Sequence, residues 1–413
     1  MPVTTPKPSL RIAGLTFTFA LLVLLAAEVL RIFWIMPFPG SQQGETLAIA
    51  YALHRWIWIV RILAAGAVWA AAVLLAHGRW PARVLCVLSL ALLGFVAYQA
   101  NGPMSADVMF RQPTSLTFAA MGQGAVAPGD LVVGVALADA SGRTQARAYP
   151  IQYIAYHHQV RDVIAGQPVM VTYCNVCRTG RVFSPVVDGT AYTFRLVGMD
   201  HWNAMFEDSR TGTWWRQATG EAVAGPLEGR RLAEIPSRQM TWAAWNGRHP
   251  GGDVMQPDPK FADRYERLKA FAEGTNDSPL TGRDKRSWQR KSWVVGVLAG
   301  DTARAFDWNE LVRERVINDQ VGDKPVVLLL GADGASFLAF DARPGGSGPR
   351  LELERTADSR FRDRATGATW DESGLALDGP QAGTRLAALP AYQEFWHSWQ
   401  DFRPATTARR NAT

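Results

Sequence analysis

The sequence predicts three transmembrane α-helices followed by a β-rich α+β soluble region made of two tandem, diverged copies of one unit. Three observations carry this expectation. The first hundred of the 413 residues are mostly apolar, whereas the rest are mixed. Three runs in that first stretch reach the roughly 20 residues needed to cross a bilayer. Beyond them, short motifs recur in the same order at nearly constant spacing.

The spans are expected at residues 12–36, 56–76 and 82–100. In the first, Glu28 and Arg31 stand three apart and can pair on one helix face near the outer interface. In the second, Arg61 can snorkel outward. The first run is too long for a cleaved signal peptide, and no small-residue cleavage site follows it. Orientation follows the loop cations. Lys7 and Arg11 precede the first span, and Arg79 and Arg83 lie at the second loop, whereas the loop at 37–46 has neither lysine nor arginine. The N-terminus is therefore expected in the cytoplasm. The soluble region is expected in the periplasm or outside the cell, anchored to a bacterial inner membrane. Cys86, inside the third span, reads as a small packing residue.

The formal charge of +6 comes from basic residues interspersed with acidic ones. No basic stripe with interleaved aromatics appears, which argues against nucleic acid as a partner. The lipid bilayer is the first expected partner, and a mildly basic surface suits its anionic face.

The repeat sets the organisation of the soluble region. Val132-Val133-Gly134 recurs as Val294-Val295-Gly296, and Arg147-Ala148-Tyr149 as Arg304-Ala305-Phe306. Asp208, Thr211-Gly212 and Trp215 recur as Asp363, Thr366-Gly367 and Trp370. Pro236, Trp242 and Trp245 recur as Pro390, Trp396 and Trp399 at identical spacings. The predicted layout is a membrane domain at 1–102, a first unit at 103–256, a helical connector at 257–291, a second unit at 292–406 and a disordered tail at 407–413. Within the first unit, a short helix is expected in 149–165 and an apolar strand at 168–173. Strands at 181–187 and 192–197 should flank an Asp188-Gly189 turn, with another at 213–217. A Gly- and Pro-rich loop should then present Trp242 and Trp245. In the connector, Phe261, Tyr265, Leu268 and Phe271 fall at helical spacing.

The soluble region has two cysteines, Cys174 and Cys177, placed just after the apolar strand. A Cys-x-x-Cys turn brings two sulfurs close enough to share a metal ion or to form a disulfide. Outside the cytoplasm such thiols rarely stay idle. Arg178 stands where covalent haem attachment needs histidine. An alternating strand follows Cys177 where a thioredoxin-like fold would place a helix. A closed zinc site needs about four ligands, and no second Cys-x-x-Cys exists. No phosphate loop, paired carboxylates or Ser–His–Asp order stands out, so no nucleotide cofactor is expected and no enzymatic activity is assigned.

Comparison of the copies selects companions for the cysteines. Gly331 and Gly334 replace Cys174 and Cys177, Glu314 replaces His157, and Arg403 replaces His249. His157 is either a third ligand or a partly buried histidine bonded to backbone. His249 sits in a loop before Pro250 and is a further candidate. Met205 is either a core residue or a soft thioether ligand. Asp208 is either a turn residue or an acid–base group. Gln217, which lies beside Trp215 on a strand, is either a hydrogen-bond donor to a ligand or a solvent-facing side chain.

These motifs resemble the bacterial family DUF3179, a domain of unknown function. The resemblance rests on Ala148 to Pro150, His157, Tyr173 to Cys177, Asp208 to Gln217, Gly225-Pro226, and Trp242 to Pro250. Asn175 departs from the family's usual proline, and Trp214 from its usual small or aliphatic residue. The resemblance implies an extracytoplasmic module and no particular activity. The expected function is soft-metal binding, with copper first and zinc second because thiolate and imidazole suit such ions, or thiol–disulfide cycling. The alternative is a membrane-anchored scaffold with a structural disulfide, whose tryptophan-rich loops bind an extracytoplasmic protein.

Overall fold

The computed structural model describes residues 9–358 and 360–410; Lys7 lies outside them. Helices α1 (Leu10–Phe33), α2 (Leu47–His77) and α3 (Trp80–Asn101) are each long and apolar enough to cross a membrane. Glu28, Arg31, Arg61 and Asn101 form one polar cluster among them. Glu28 is buried and accepts from Arg31 at 3.0 Å, as its spacing suggested. It also accepts from Arg61 Nε at 2.8 Å, and Asn101 completes the cluster by accepting from both arginines. Arg61 therefore turns inward to a carboxylate and does not snorkel, because a buried Glu28 with one partner would leave an oxygen uncompensated.

Helix α2 starts at Leu47, well before the predicted position 56. Its extra turns rest on the soluble region. Tyr51 donates to the Gly212 carbonyl at 3.2 Å, and His54 Nε2 lies 3.0 Å from Glu207. The α1–α2 loop docks there too, since the Met199 amide donates to the Ile35 carbonyl at 2.7 Å. The short helix α4 (Ala106–Met109) follows α3.

The β-rich region contains several small sheets. One runs Phe118–Ala119, Asp253–Met255, Thr144–Pro150, Leu131–Ala138, Ser237–Thr241. Leu131–Ala138 is antiparallel to both neighbours, while Asp253–Met255 joins Thr144–Pro150 in parallel. A second, four-stranded sheet runs Thr407–Ala408, Thr302–Asp307, Trp293–Ala299, Ala391–Phe395, repeating the senses of the last four strands of the first. After the central hairpin of each comes a seven-residue helix, α5 (Ile151–His157) in one and α8 (Trp308–Glu314) in the other. Each of these ends on a left-handed residue, His158 at φ +60° and Arg315 at φ +66°, which satisfies a terminal carbonyl and turns the chain out of the helix. Antiparallel strands follow in each half: Gln159–Ile164, Gln167–Cys174 and Thr179–Phe183 in the first, and Val316–Val321, Lys324–Leu330 and Phe337–Asp341 in the second.

Three expectations need correction. The helix expected in 149–165 is only α5, and Gln159–Ile164 is a strand; the mixed periodicity came from two elements inside one window. The loop expected to present tryptophans is helix α6 (Trp242–Arg248), capped by the Thr241 side chain, and Trp242 and Trp245 are both buried. The predicted tail begins as a strand at Thr407–Ala408, and Arg409 pairs with Glu310 at 2.9 Å; residues 411–413 are outside the described set. The connector helix is present as α7 (Ala262–Glu273), with Tyr265 and Phe271 buried against the first unit. Helix α9 (Trp396–Phe402) is the counterpart of α6.

The halves meet face to face. Gln239 donates to Gln393 at 2.9 Å, and each lies on the edge strand that precedes a tryptophan-bearing helix, α6 or α9. The Thr241 amide of the first half donates to Ser336 Oγ of the second at 3.0 Å, while the Phe395 amide of the second donates to the Cys177 carbonyl of the first at 2.9 Å. The contact is thus reciprocal, with each half's edge strand meeting the other's hairpin.

Candidate functional site

The Cys-x-x-Cys segment is the tip of a β-hairpin. Gln167–Cys174 pairs antiparallel with Thr179–Phe183, with Cys174 opposite Thr179. Arg178 closes the tip at φ +55°. A strand follows the second cysteine, and no helix. Both cysteines are free thiols and fully buried. Their sulfurs converge on the Trp202 carbonyl, 3.1 Å from Cys177 Sγ and 3.7 Å from Cys174 Sγ. Trp202 is itself held from the α1–α2 loop, where Gln42 accepts its amide hydrogen at 3.1 Å.

The two thiols are not equivalent. Burial pushes the Cys174 thiol up, but hydrogen bonds from Cys177 and from backbone amides at the tip bring it below the ordinary thiol value. Burial pushes Cys177 well above that value, and an anionic Cys174 beside it pushes further the same way. Lys291 places a cation beside the pair, its ammonium donating to the Val176 carbonyl at 2.5 Å. Burial lowers Lys291 to about 8, opposed by the two cysteines. In a pair of this kind one thiol ionises more easily than its neighbour, the order that attack and resolution in thiol–disulfide exchange use.

The second half builds much of the surroundings. Ser398 of α9 donates to Glu394 at 3.0 Å and lowers the Cys177 thiol against the effect of burial. Arg178 is fully buried and donates to Gln393 at 2.9 Å and to the Phe271 carbonyl at 3.0 Å, with its guanidinium 3.9 Å over the Trp293 ring. Arg181 and Glu394 form a completely buried ion pair. Thr179 hydrogen-bonds both Glu394 and Ser398.

Of the residues singled out from sequence, Gln217 and Met205 join this neighbourhood. Gln217 is buried and spans the hairpin, donating to Thr172 Oγ1 at 2.9 Å and to the Thr179 carbonyl at 3.0 Å while accepting from Asn203. It is a brace with every polar atom engaged, neither solvent-facing nor free for a ligand. Met205 packs in the same apolar cluster as the cysteines. His157 is directed elsewhere: Nδ1 lies 2.5 Å from the Arg111 carbonyl and Nε2 lies 2.7 Å from the Tyr265 hydroxyl. With both nitrogens used it has no lone pair for a metal beside the sulfurs, and its role is to tie α5 to α7. His249 lies against the Trp245 ring and lines a separate cavity of about 810 Å³ with Arg238, Arg248 and Arg385. Asp208 is a turn residue, accepting from Arg210, Thr211 and the Trp215 indole. Trp215 is buried by that bond. Among the described residues, no group of three or more His, Cys, Asp or Glu could hold a metal ion.

Sequence reasoning missed Glu394, Ser398 and Lys291. A signal for the first two was present. Glu394 and Ser398 stand where the first copy has Met240 and Ala244. Polar residues present in the second half and absent from the first carry the same kind of signal as residues lost from it.

The family model described as a protein of unknown function, DUF3179, matches residues 113–406. The match continues through both halves of the soluble region. No curated protein and no solved structure matches the chain.

Proposed function

We propose that this chain, which belongs to the DUF3179 family, is a membrane-anchored thiol–disulfide couple in which Cys174 is the reactive thiol and Cys177 the resolving one. The observation that carries this reading is the pair of buried, unequal thiols converging on one carbonyl. The oxidised form is a Cys174–Cys177 disulfide, reached when each sulfur gives up its hydrogen to an acceptor. The three apolar helices would cross the bacterial inner membrane with the N-terminus in the cytoplasm, following the loop cations. The soluble region would then lie in the oxidising compartment, where such a couple operates.

Two tandem copies account for the matching sheet orders and for the reciprocal contact, since a self-complementary interface is the usual way equivalent surfaces meet. The unit boundaries proposed are 103–256 and 292–406, with the second extended through Ala408 by its final strand. On this reading the second copy gave up its cysteines and became the wall of the first copy's site.

Soft-metal binding at the same sulfurs ranks second. Two thiolates suit copper(I), but Lys291 places a competing cation beside them. The scaffold reading loses its main support because the tryptophans it relied on are buried.

The test is alkylation of the reduced full-length chain across pH. Both thiols are buried, so labelling proceeds through opening of the hairpin tip, and Cys174 should react at a lower pH than Cys177 because its thiolate forms more readily. A Cys177→Ser variant should retain that early reaction, whereas Cys174→Ser should leave only slow labelling at high pH. Equal, unshifted titration of both thiols would refute the assignment, and stoichiometric copper on the purified chain would promote the metal reading.

A further inference from the structure

A second feature lies directly behind the cysteine turn. A cavity of about 190 Å³ is walled by Asn175 and Val176, the two residues between the cysteines, and by Met36, Met109 and His158. Its lining is almost wholly apolar. An apolar cavity of ~150 Å³ accepts a benzene-sized ring, so this one has room for a single substituted ring. Its position ties it to the ends of the spans. Met36 follows the end of α1 at Phe33, and Met109 ends α4, the short helix that follows α3. Met104, Val108 and Met109 expose apolar side chains at that edge, where a bilayer surface would meet them.

His158, Asn175 and Thr281 bring the polar side chains to this lining. His158 is fully buried, and its Nε2 has no hydrogen-bond partner. Its Nδ1 lies 3.2 Å from the Tyr156 carbonyl and so carries the proton. Nε2 then keeps a lone pair, which is costly to bury unless a hydroxyl donates to it. The Phe110 ring, 4.4 Å from the imidazole, holds it in place.

We infer that this cavity takes the ring of a bilayer-dissolved prenyl quinone, which accepts the two hydrogens of Cys174 and Cys177. The inference rests on the thiol–disulfide reading above and names its electron acceptor. Two electrons and two protons leave the thiols, one S–S bond forms, and the quinone becomes a quinol. One quinol hydroxyl donates to His158 Nε2. A bilayer-dissolved acceptor fits a thiol pair that is buried from water and whose connecting turn walls an apolar cavity. Other amphiphiles could fill the space, but a fatty acyl chain has no hydroxyl to offer His158 and accepts no electrons.

The experiment uses the full-length chain, reduced, freed of reductant and held without oxygen in quinone-free phospholipid nanodiscs. The probe is a benzoquinone carrying a decyl tail. The expected result is loss of both Cys174 and Cys177 thiols, formation of one quinol per chain and a mass lower by two hydrogens. Leu280→Trp and Met109→Trp, which fill the cavity from its exposed side, should slow this reaction about tenfold or more, because a filled cavity forfeits the ring's contacts. Both thiols of each variant should still titrate in denaturant. If glutathione disulfide oxidises the wild-type pair but the quinone does not, the quinone inference falls and the thiol–disulfide reading stands. If neither oxidises it, both fall. Equal quinone rates in wild type and variants would place the acceptor elsewhere, and a mass raised by a whole quinone would mean covalent addition and overturn the proposed electron transfer.

Discussion

Replacing Arg181 with methionine should cost about 3–5 kcal/mol, the usual penalty for stranding one member of a buried ion pair. Arg181 and Glu394 are both fully buried, and they join the cysteine hairpin of one half to the edge strand of the other. The guanidinium also lies 3.5 Å over the Tyr392 ring, so the variant loses a stacking contact as well. With Arg181 gone, Glu394 keeps only Thr179 and Ser398 as hydrogen-bond donors. The informative control is the double variant Arg181→Met, Glu394→Leu. Exchanging a whole buried pair for apolar residues is often neutral or better, so the double variant should recover most of the stability lost in the single one. Thermal unfolding of the full chain in detergent micelles reads both. A double variant as unstable as Arg181→Met would mean that the charge pair is not what couples the halves. The single variant should also label faster at Cys177, because the wall formed by Ser398 and Phe395 would loosen.

The second large effect is expected at Gly134. A Cβ there would lie 2.3 to 2.5 Å from atoms of the Trp245 indole, which is itself buried and cannot swing away. Gly134→Ala should therefore destabilise the first half by about 1–3 kcal/mol through overpacking. Trp245→Ala alone should cost about 3–5 kcal/mol through the cavity it leaves. Combined, the two should cost less than their sum, because the methyl no longer meets a ring. The second half has the same arrangement, with a Cβ at Gly296 meeting the Trp399 ring at 2.2 to 2.3 Å. Gly296→Ala should behave in parallel. Additive losses in the Gly134–Trp245 cycle, measured by urea unfolding, would contradict a direct contact.

This pairing also explains why the repeat was readable. In each half the glycine leaves the space that the tryptophan ring fills, so the two are coupled by packing. The three apolar helices were equally legible, since span length follows from bilayer thickness alone. The start of α2 was not. His54 and Arg55 interrupt the apolar run, and only the tertiary contact of Tyr51 and His54 with the soluble region reveals why the helix continues through them.

The site was half legible. Cys174 and Cys177 stood out by scarcity, and the strand after them was evident from alternation. His157 stood between a third ligand and a buried histidine bonded to backbone, and its partners Arg111 and Tyr265 answer to the second description but gave no signal in the sequence. Gln217 was undecided because a strand exposing one face to water cannot be told by pattern from one packed on both faces. Lys291 gave no signal at all. It lies in a charged stretch that reads as solvated, and only the fold carries it to the thiols.

The central claim, that Cys174 and Cys177 form a working redox couple, is tested most directly by trapping their thiol state in membranes of growing cells. Acid quenching followed by a mass-shifting maleimide would count free thiols on the full-length chain, with Cys86 as the internal reference. The expected result is a mixture of dithiol and disulfide forms that moves toward disulfide under oxidant and toward dithiol under reductant. In the Cys174→Ser and Cys177→Ser variants that response should disappear. A pair that stays wholly reduced or wholly oxidised under both treatments would contradict the claim.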